Sequence, residues 1–181
     1  GILYYRNFDF SKLKYDTPCC THLGTMRNYL PGPLRVQFPK LRVKSISNKE
    51  MVILVKNNSP GFDFLRRLEE CNAKNLVKNP VKNKEPLIQA NSLGNSEFSG
   101  ICMKLKPNTL FFTENDELIS PSHIKNILEP SDPSNPSVVI RAVCIANSQG
   151  LWTANKSYGN TWNVEQVKIY EECVEDSANI L

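Results

Sequence analysis

The sequence predicts a mainly β protein, a small antiparallel barrel with one or two inserted short helices and long loops. Three observations predict it. Leu34–Ile46 (LRVQFPKLRVKSI) alternates apolar and polar residues with period 2, the spacing of a half-buried strand. Between Val138 and Glu172, the apolar runs VVIRAVCIA and WNVEQVKIY flank NSQGLWTANKSYGNT, two strands around a polar, aromatic and glycine-bearing loop. Helical signals are few, and the order β-β-α-β-β-α-β-β contains more hairpins than crossovers, which favours a barrel over a doubly wound sheet.

The elements follow in order. Residues 1–33 carry Ile2, Leu3, Tyr4, Tyr5, Phe8 and Phe10 and are broken by Thr17-Pro18 and Pro31-Gly32-Pro33, so they predict an arm packed on the core. In Leu34–Ile46 the alternation slips once at Pro39, which predicts a bent or bulged strand whose polar face holds Arg35, Lys40, Arg42 and Lys44. Met51–Lys56 is apolar at both alternating positions and reads as a buried strand. Ser59-Pro60 supplies an N-cap and a first-turn proline, opening a helix that ends before Asn79-Pro80. Its expected apolar stripe is Phe62, Leu65, Leu68, Cys71 and Leu76.

Residues 79–100 read as a flexible loop, basic in its first part. ICMKL (Ile101–Leu105) and TLFFT (Thr109–Thr113) read as two strands around Lys106-Pro107-Asn108. Ser120-Pro121 opens a second short helix to about Leu128, and EPSDPSNP (Glu129–Pro136) is loop. The domain reading is an arm at 1–33, a barrel at 34–172 and an acidic tail at 173–181.

Composition narrows the function. The chain has 181 residues, 40% hydrophobic and 22% charged, ordinary values for a globular domain. No apolar run is long enough to span a membrane. The opening GILYYRNFDF lacks the pattern of a secretory signal, and Cys102 and Cys144 sit inside strand patterns as small hydrophobes. An intracellular, reducing setting is therefore expected, not secretion. Residues 1–84 hold 16 Lys/Arg and 6 Asp/Glu; the remainder hold 6 and 12. A basic half joined to an acidic half is a recurrent layout in proteins that neutralise phosphates.

Catalytic signatures are absent. The two histidines, His22 and His123, neighbour no nucleophile motif, and no Gly-rich phosphate loop or HExxH is present. Cys19-Cys20-Thr21-His22 lacks metal-ligand spacing and a second half-site. Glu114, Asp116 and Glu117 form an acidic turn that would serve a nuclease only with a divalent metal. The expectation is a protein that is not an enzyme and needs no cofactor or metal.

Binding single strands requires a basic groove for phosphates and aromatic faces for bases, the latter worth roughly 1–3 kcal/mol per base. The cations expected to serve are Arg35, Lys40, Arg42, Lys44, Lys104, Lys106, Arg141 and Lys156. The aromatics are Trp152, Tyr158 and Trp162. Trp152 and Tyr158 lie among Asn, Ser, Gly and Lys and are expected to be exposed; Trp162 opens a strand and suits either core or surface.

IRAVCIANSQG, WTANKSYGNTW and NVEQVKIYEE, with ICMKLKPNTLFFTENDELISPSHIKNIL before them, carry a resemblance over Ile101–Glu175. This part of the chain resembles single-stranded DNA-binding proteins of large eukaryotic DNA viruses, of the African swine fever virus type, and more remotely those of T7-like phages. The resemblance implies an OB-like Greek-key barrel, single-stranded DNA as ligand, and a role in replication, recombination or repair. It implies base stacking at Trp152, Tyr158 and Trp162 and backbone contacts at Lys104, Lys106 and Arg141. It also implies a host cytoplasmic or nuclear replication site, or the virion. The acidic tail would compete with DNA or recruit replication proteins, and a homo-oligomer is compatible with the pattern. Two other readings stay open: a structural virion protein with a β-barrel, and an RNA-binding module.

Overall fold

The computed structural model describes residues 2–16, 19–21, 24–27, 29–30, 32–78, 88–90, 93–128, 138–154 and 156–173. Its main elements are β1 (Leu34–Gln37), β2 (Leu41–Ile46), β3 (Glu50–Lys56), α1 (Pro60–Lys78), β4 (Phe98–Phe112), α2 (Pro121–Leu128), β5 (Val138–Ala154) and β6 (Ser157–Cys173).

β1 and β2 are one strand bent at Pro39, as the slipped alternation predicts. Both pair antiparallel with β5, β1 along Ile145–Ser148 and β2 at Arg141 and Ala142. The Phe38 N–H donates to the Cys144 carbonyl at 2.9 Å, carrying the ladder up to the proline, which has no N–H to give. A register shift between Val43 and Ser45 resets the pleat, so Val43 and Ile46 both point inward.

Pairing then runs β2 to β3 to β4, each antiparallel; β4 lies parallel to β6, and β6 returns antiparallel to β5. Since β5 also holds β1 and β2, the sheet closes on itself. The protein is thus mainly β, with an OB-like closed barrel of five strands among the described residues. Its interior is filled by alternate residues, including Val36, Met51, Ile53, Met103, Ile140, Ala146 and Val167, all nearly or fully buried. α2 rests against β2 and β5 and seats the fully buried Ile124 in the core.

Four expectations change. Met51–Lys56 is not buried on both faces. Met51, Ile53 and Val55 fill the interior, while Val52 and Leu54 lie half-buried on the outer surface. ICMKL and TLFFT are one strand, β4. Thr109 bridges the irregularity at Pro107-Asn108: its Oγ1 accepts from the Lys106 N–H at 2.9 Å and donates to the Val164 carbonyl at 2.7 Å. The segment read as a 79–100 loop contains a strand at Ile88–Gln89 parallel to β6 and the start of β4. The rest of that expectation, residues 79–87 and 91–92, lies outside the described residues.

The fourth change concerns NSQGLWTANKSYGNT, which is strand nearly throughout. β5 and β6 pair as far as Ala154 and Ser157. A register shift between Ser148 and Leu151 accommodates the extra residue at Gly150, whose φ of 149° suits only glycine. The length of the pairing follows from alternation: Leu151 and Thr153 turn inward, with Tyr158 and Trp162 buried on the facing strand.

α1 matches its caps. Ser59 Oγ accepts from the Phe62 N–H at 3.3 Å. Its buried face is wider than predicted, taking in Phe64, Asn72 and Asn75 beside Phe62, Leu65 and Leu68; Cys71 is only half-buried. Phe64 meets Phe8, Phe10 and Phe38 at 5.5, 5.6 and 6.0 Å between ring centres. Tyr15 Oη donates to Asn72 Oδ1 at 2.6 Å, and Asn72 Nδ2 donates to Asn160 Oδ1 at 2.7 Å. These contacts join the described part of residues 1–33 to α1 and the barrel. Leu3–Tyr4 adds a parallel edge to β1, and Gly24–Arg27 an antiparallel one to Leu151–Thr153. Residues 174–181, most of the expected acidic tail, are outside the described set.

Candidate nucleic-acid interface

The outward positions of β2, β3 and β4 form one surface. Arg42 stands opposite Leu54, Leu54 opposite Gly100, Val52 opposite Cys102, and Glu50 opposite Lys104. Along β4 the outward residues are Phe98, Gly100, Cys102, Lys104 and Lys106. Apolar Val52 and Leu54 thus lie on this surface, Leu54 facing Arg42, and Glu50, opposite Lys104, is the carboxylate on this row.

Where β2, β3 and β5 meet the start of α1, the surface sinks into a cavity of about 270 Å³. Five cationic side chains line it: Arg6, Lys40, Arg42, Lys56 and Arg141. Tyr5 and Phe98 supply aromatic faces, and no Asp or Glu is among the lining residues. Arg42 and Arg141 are directly opposed across strands. Like charges so placed repel, a cost that a bound anion removes.

That charge is partly balanced from the rim. Glu172 Oε2 accepts from Arg141 Nε at 2.9 Å, and Glu172 Oε1 lies 3.8 Å from Lys40 Nζ. Lys40 Nζ also stands 3.9 Å from the centre of the Tyr170 ring, a cation–π contact.

The predicted residues divide. Lys40, Arg42 and Arg141 share the cavity. Lys44 is exposed on β2 at the register shift, and Lys104 is exposed on the β4 row leading away from it. Lys106 lies farther along β4, beside a different pocket. Arg35 points from β1 toward β6, where a two-pronged bond to Glu165 (2.7 and 2.9 Å) engages its guanidinium. That bond, ahead of any other influence, holds the Glu165 carboxyl below the usual glutamate range. Lys156 is exposed at the β5–β6 turn, and its carbonyl accepts from the Ile88 N–H.

The three aromatics do not converge on the cations. Trp162 is 5% exposed and packs edge-to-face on Phe38 at 5.0 Å, so its ring belongs to the core. Tyr158, expected at the surface, is 8% exposed. Burial, and then the nearby Glu69, push its hydroxyl pKa up. Trp152 is half-buried over Gly159, where any Cβ would come within 3.3 Å of Trp152 Cζ2. Aromatic faces at the cationic cavity come instead from Tyr5 and Phe98. Neither was picked out in the sequence, since one lies in the arm and the other at the end of a stretch read as loop. Arg6 lies in the arm as well, and Lys56, set near Arg42 by the β2–β3 hairpin, ends a strand whose apolar run reads as buried.

Among the described residues no group of His, Cys, Asp and Glu could hold a metal ion, and no helix is long and apolar enough to cross a membrane. Burial raises the Cys144 thiol to about 12 and, with the Glu50 contact, the Cys102 thiol to about 11, so neither is an activated nucleophile.

No protein-family model matches this chain, and no curated protein sequence does. Among solved structures it is similar to the single-stranded DNA-binding protein from bacteriophage Enc34, at 9% identity and a TM-score of 0.43, over 93% of this chain and 96% of that one. That match is a phage protein, not one of the African swine fever virus type to which the C-terminal motifs point. The assignment of the barrel rests on the strand pairings above.

Proposed function

We propose that this chain binds single-stranded DNA, largely independent of sequence, along the outer face of β2, β3 and β4. The observation that carries the reading is the cavity lined by five cationic side chains, with a carboxylate, Glu172, only at its rim, opening onto a strand row with further cations. Arg6, Arg42, Lys56 and Arg141 would hold phosphates, with Lys40, Lys44 and Lys104 extending the path. Tyr5 and Phe98 would offer stacking faces, and Val52 and Leu54 an apolar floor for bases. The strands-2-and-3 face of an OB-like barrel suits this task because it is shallow, solvent-facing and bordered by loops. A protein of this kind would act where DNA is unpaired, during replication, recombination or repair. The acidic C-terminal residues would serve as a recruiting segment for replication proteins.

The test is fluorescence anisotropy of labelled oligo-dT over a salt series. Each phosphate neutralised on a single strand contributes about −0.7 to the slope of log K against log salt. Arg42→Ala with Lys56→Ala should weaken binding and flatten that slope by about 1.4. Absence of binding at low salt, or a slope untouched by the two changes, would sink the proposal. Competition by oligo-U of the same length decides between DNA and RNA: weaker competition is expected.

A further inference from the structure

We infer that the far end of the β4 row holds a second subsite, chemically unlike the first, that reads base edges and gives the bound strand a preference for adenine at one position. The inference deepens the proposed function and rests on it.

A pocket of about 400 Å³ lies where β4, β5 and β6 meet beyond Lys104. Five side-chain amides line it: Asn108, Asn147, Gln149, Asn163 and Gln166, with Lys106 beside them. Strand register assembles the group, since Asn147 is opposite Asn163 and Gln166 is opposite Leu110. Glu165 also lines the pocket, but Arg35 engages both its oxygens and Asn147 Nδ2 donates to it at 3.1 Å. Gln149 Nε2 in turn donates to Asn147 Oδ1 at 3.1 Å. Asn108, Asn163 and Gln166 make no side-chain hydrogen bond among the described residues. The pocket therefore presents unspent donor–acceptor pairs with little net charge.

That chemistry suits bases better than phosphates. A carboxamide offers an N–H donor beside a C=O acceptor, which pairs in two-pronged fashion with a base edge showing the complementary pair. Adenine shows such a pair on both its Watson–Crick and its Hoogsteen edge, and an unpaired strand leaves both edges accessible. The two pockets are joined physically. From Phe98 at the cationic cavity to Lys106 at the amide pocket, β4 runs roughly 26 Å at about 3.3 Å per residue. Lys104 lies on this row, opposite Asn163 on β6. A strand anchored by its phosphates at one end would lay a base over Asn163 and Gln166 at the other.

The experiment uses a set of oligo-dT strands of one length, each with a single adenine at a different position. Wild type should bind best when adenine occupies one position, by about fivefold over unsubstituted oligo-dT, the lower part of the range for a two-pronged amide–adenine contact. Asn163→Ala with Gln166→Ala should erase that maximum and leave the salt slope unchanged. A flat wild-type profile, or a maximum that survives in the double variant, overturns the subsite and leaves the cationic groove standing. Failure of every strand to bind overturns both. Should the double variant fail to fold, Asn108→Ala is read by the same criterion.

Discussion

At the scale of single residues, two glutamates carry opposite information. Glu172 occupies Arg141 and Lys40 with the same bonds a phosphate would make. Incoming DNA has to displace it, so part of the phosphate's binding energy replaces an ion pair that already exists. Half-exposed pairs of this kind are weak, about 0.2–1 kcal/mol. Glu172→Gln should therefore tighten oligo-dT binding by up to about fivefold. A variant that binds more weakly would mean that Glu172 organises the groove instead of competing for it. Glu69 belongs to stability. Burial on α1 pushes its pKa up, although the Leu93 N–H donates to it at 3.1 Å. A carboxyl whose pKa is raised by folding stabilises the fold while protonated, below the ordinary glutamate value. That contribution is lost as pH rises through the raised value. Glu69→Gln keeps an acceptor for Leu93 and removes the charge. Its melting temperature should gain on wild type as pH climbs from the acid side of the ordinary value to neutrality. A variant that falls below wild type at neutral pH would refute this.

At the scale of elements, α1 is the joint between arm and barrel. Phe64, 3% exposed, touches two rings of the arm and Phe38 of the bend between β1 and β2. Phe64→Ala removes the shared partner of all three, and a Phe-to-Ala change in such a setting costs about 3–5 kcal/mol. Urea unfolding followed by circular dichroism measures it; a loss under about 1 kcal/mol would show that the arm's rings do not depend on the helix. Tyr5 and Arg6 line the cationic cavity and lie three and two residues before Phe8, so the same substitution should also weaken DNA binding. β4 illustrates a different economy. Its irregularity at Pro107-Asn108 is closed by the Thr109 hydroxyl, which takes the place of a missing rung.

At the scale of the molecule, what could be read in advance was whatever the chain encodes locally. The slipped alternation at Pro39 reported a bent strand, and the Ser-Pro pairs at 59–60 and 120–121 marked both helix starts. The C-terminal hairpin was visible, but its reach was not: the many polar residues in NSQGLWTANKSYGNT suggested a loop, whereas most of them occupy outward positions between inward ones and Ser148 and Thr153 are buried. For the same reason neighbouring residues there said little about Tyr158 or Trp162, whose rings turn to the other face. The cationic cavity was only half legible. Lys40, Arg42 and Arg141 were named from their strands, and Lys56 lies beside Arg42 across the local β2–β3 hairpin, whereas Tyr5, Arg6 and Phe98 join them only through the placing of distant segments. The amide pocket had no local signal, since its residues are scattered over three strands and are individually ordinary.

The order of closure has a consequence for how the chain is made. β6 fits between β4 and β5, parallel to one and antiparallel to the other, and it is the last strand of the barrel to leave the ribosome. Until then, β5 along most of its length and β4 from Lys104 to Phe112 present rims of unpaired backbone groups. Such rims capture strands from other nascent chains. During synthesis the protein is therefore at its most vulnerable just before Ser157–Cys173 emerges, and a stall there would favour entanglement between chains on one message.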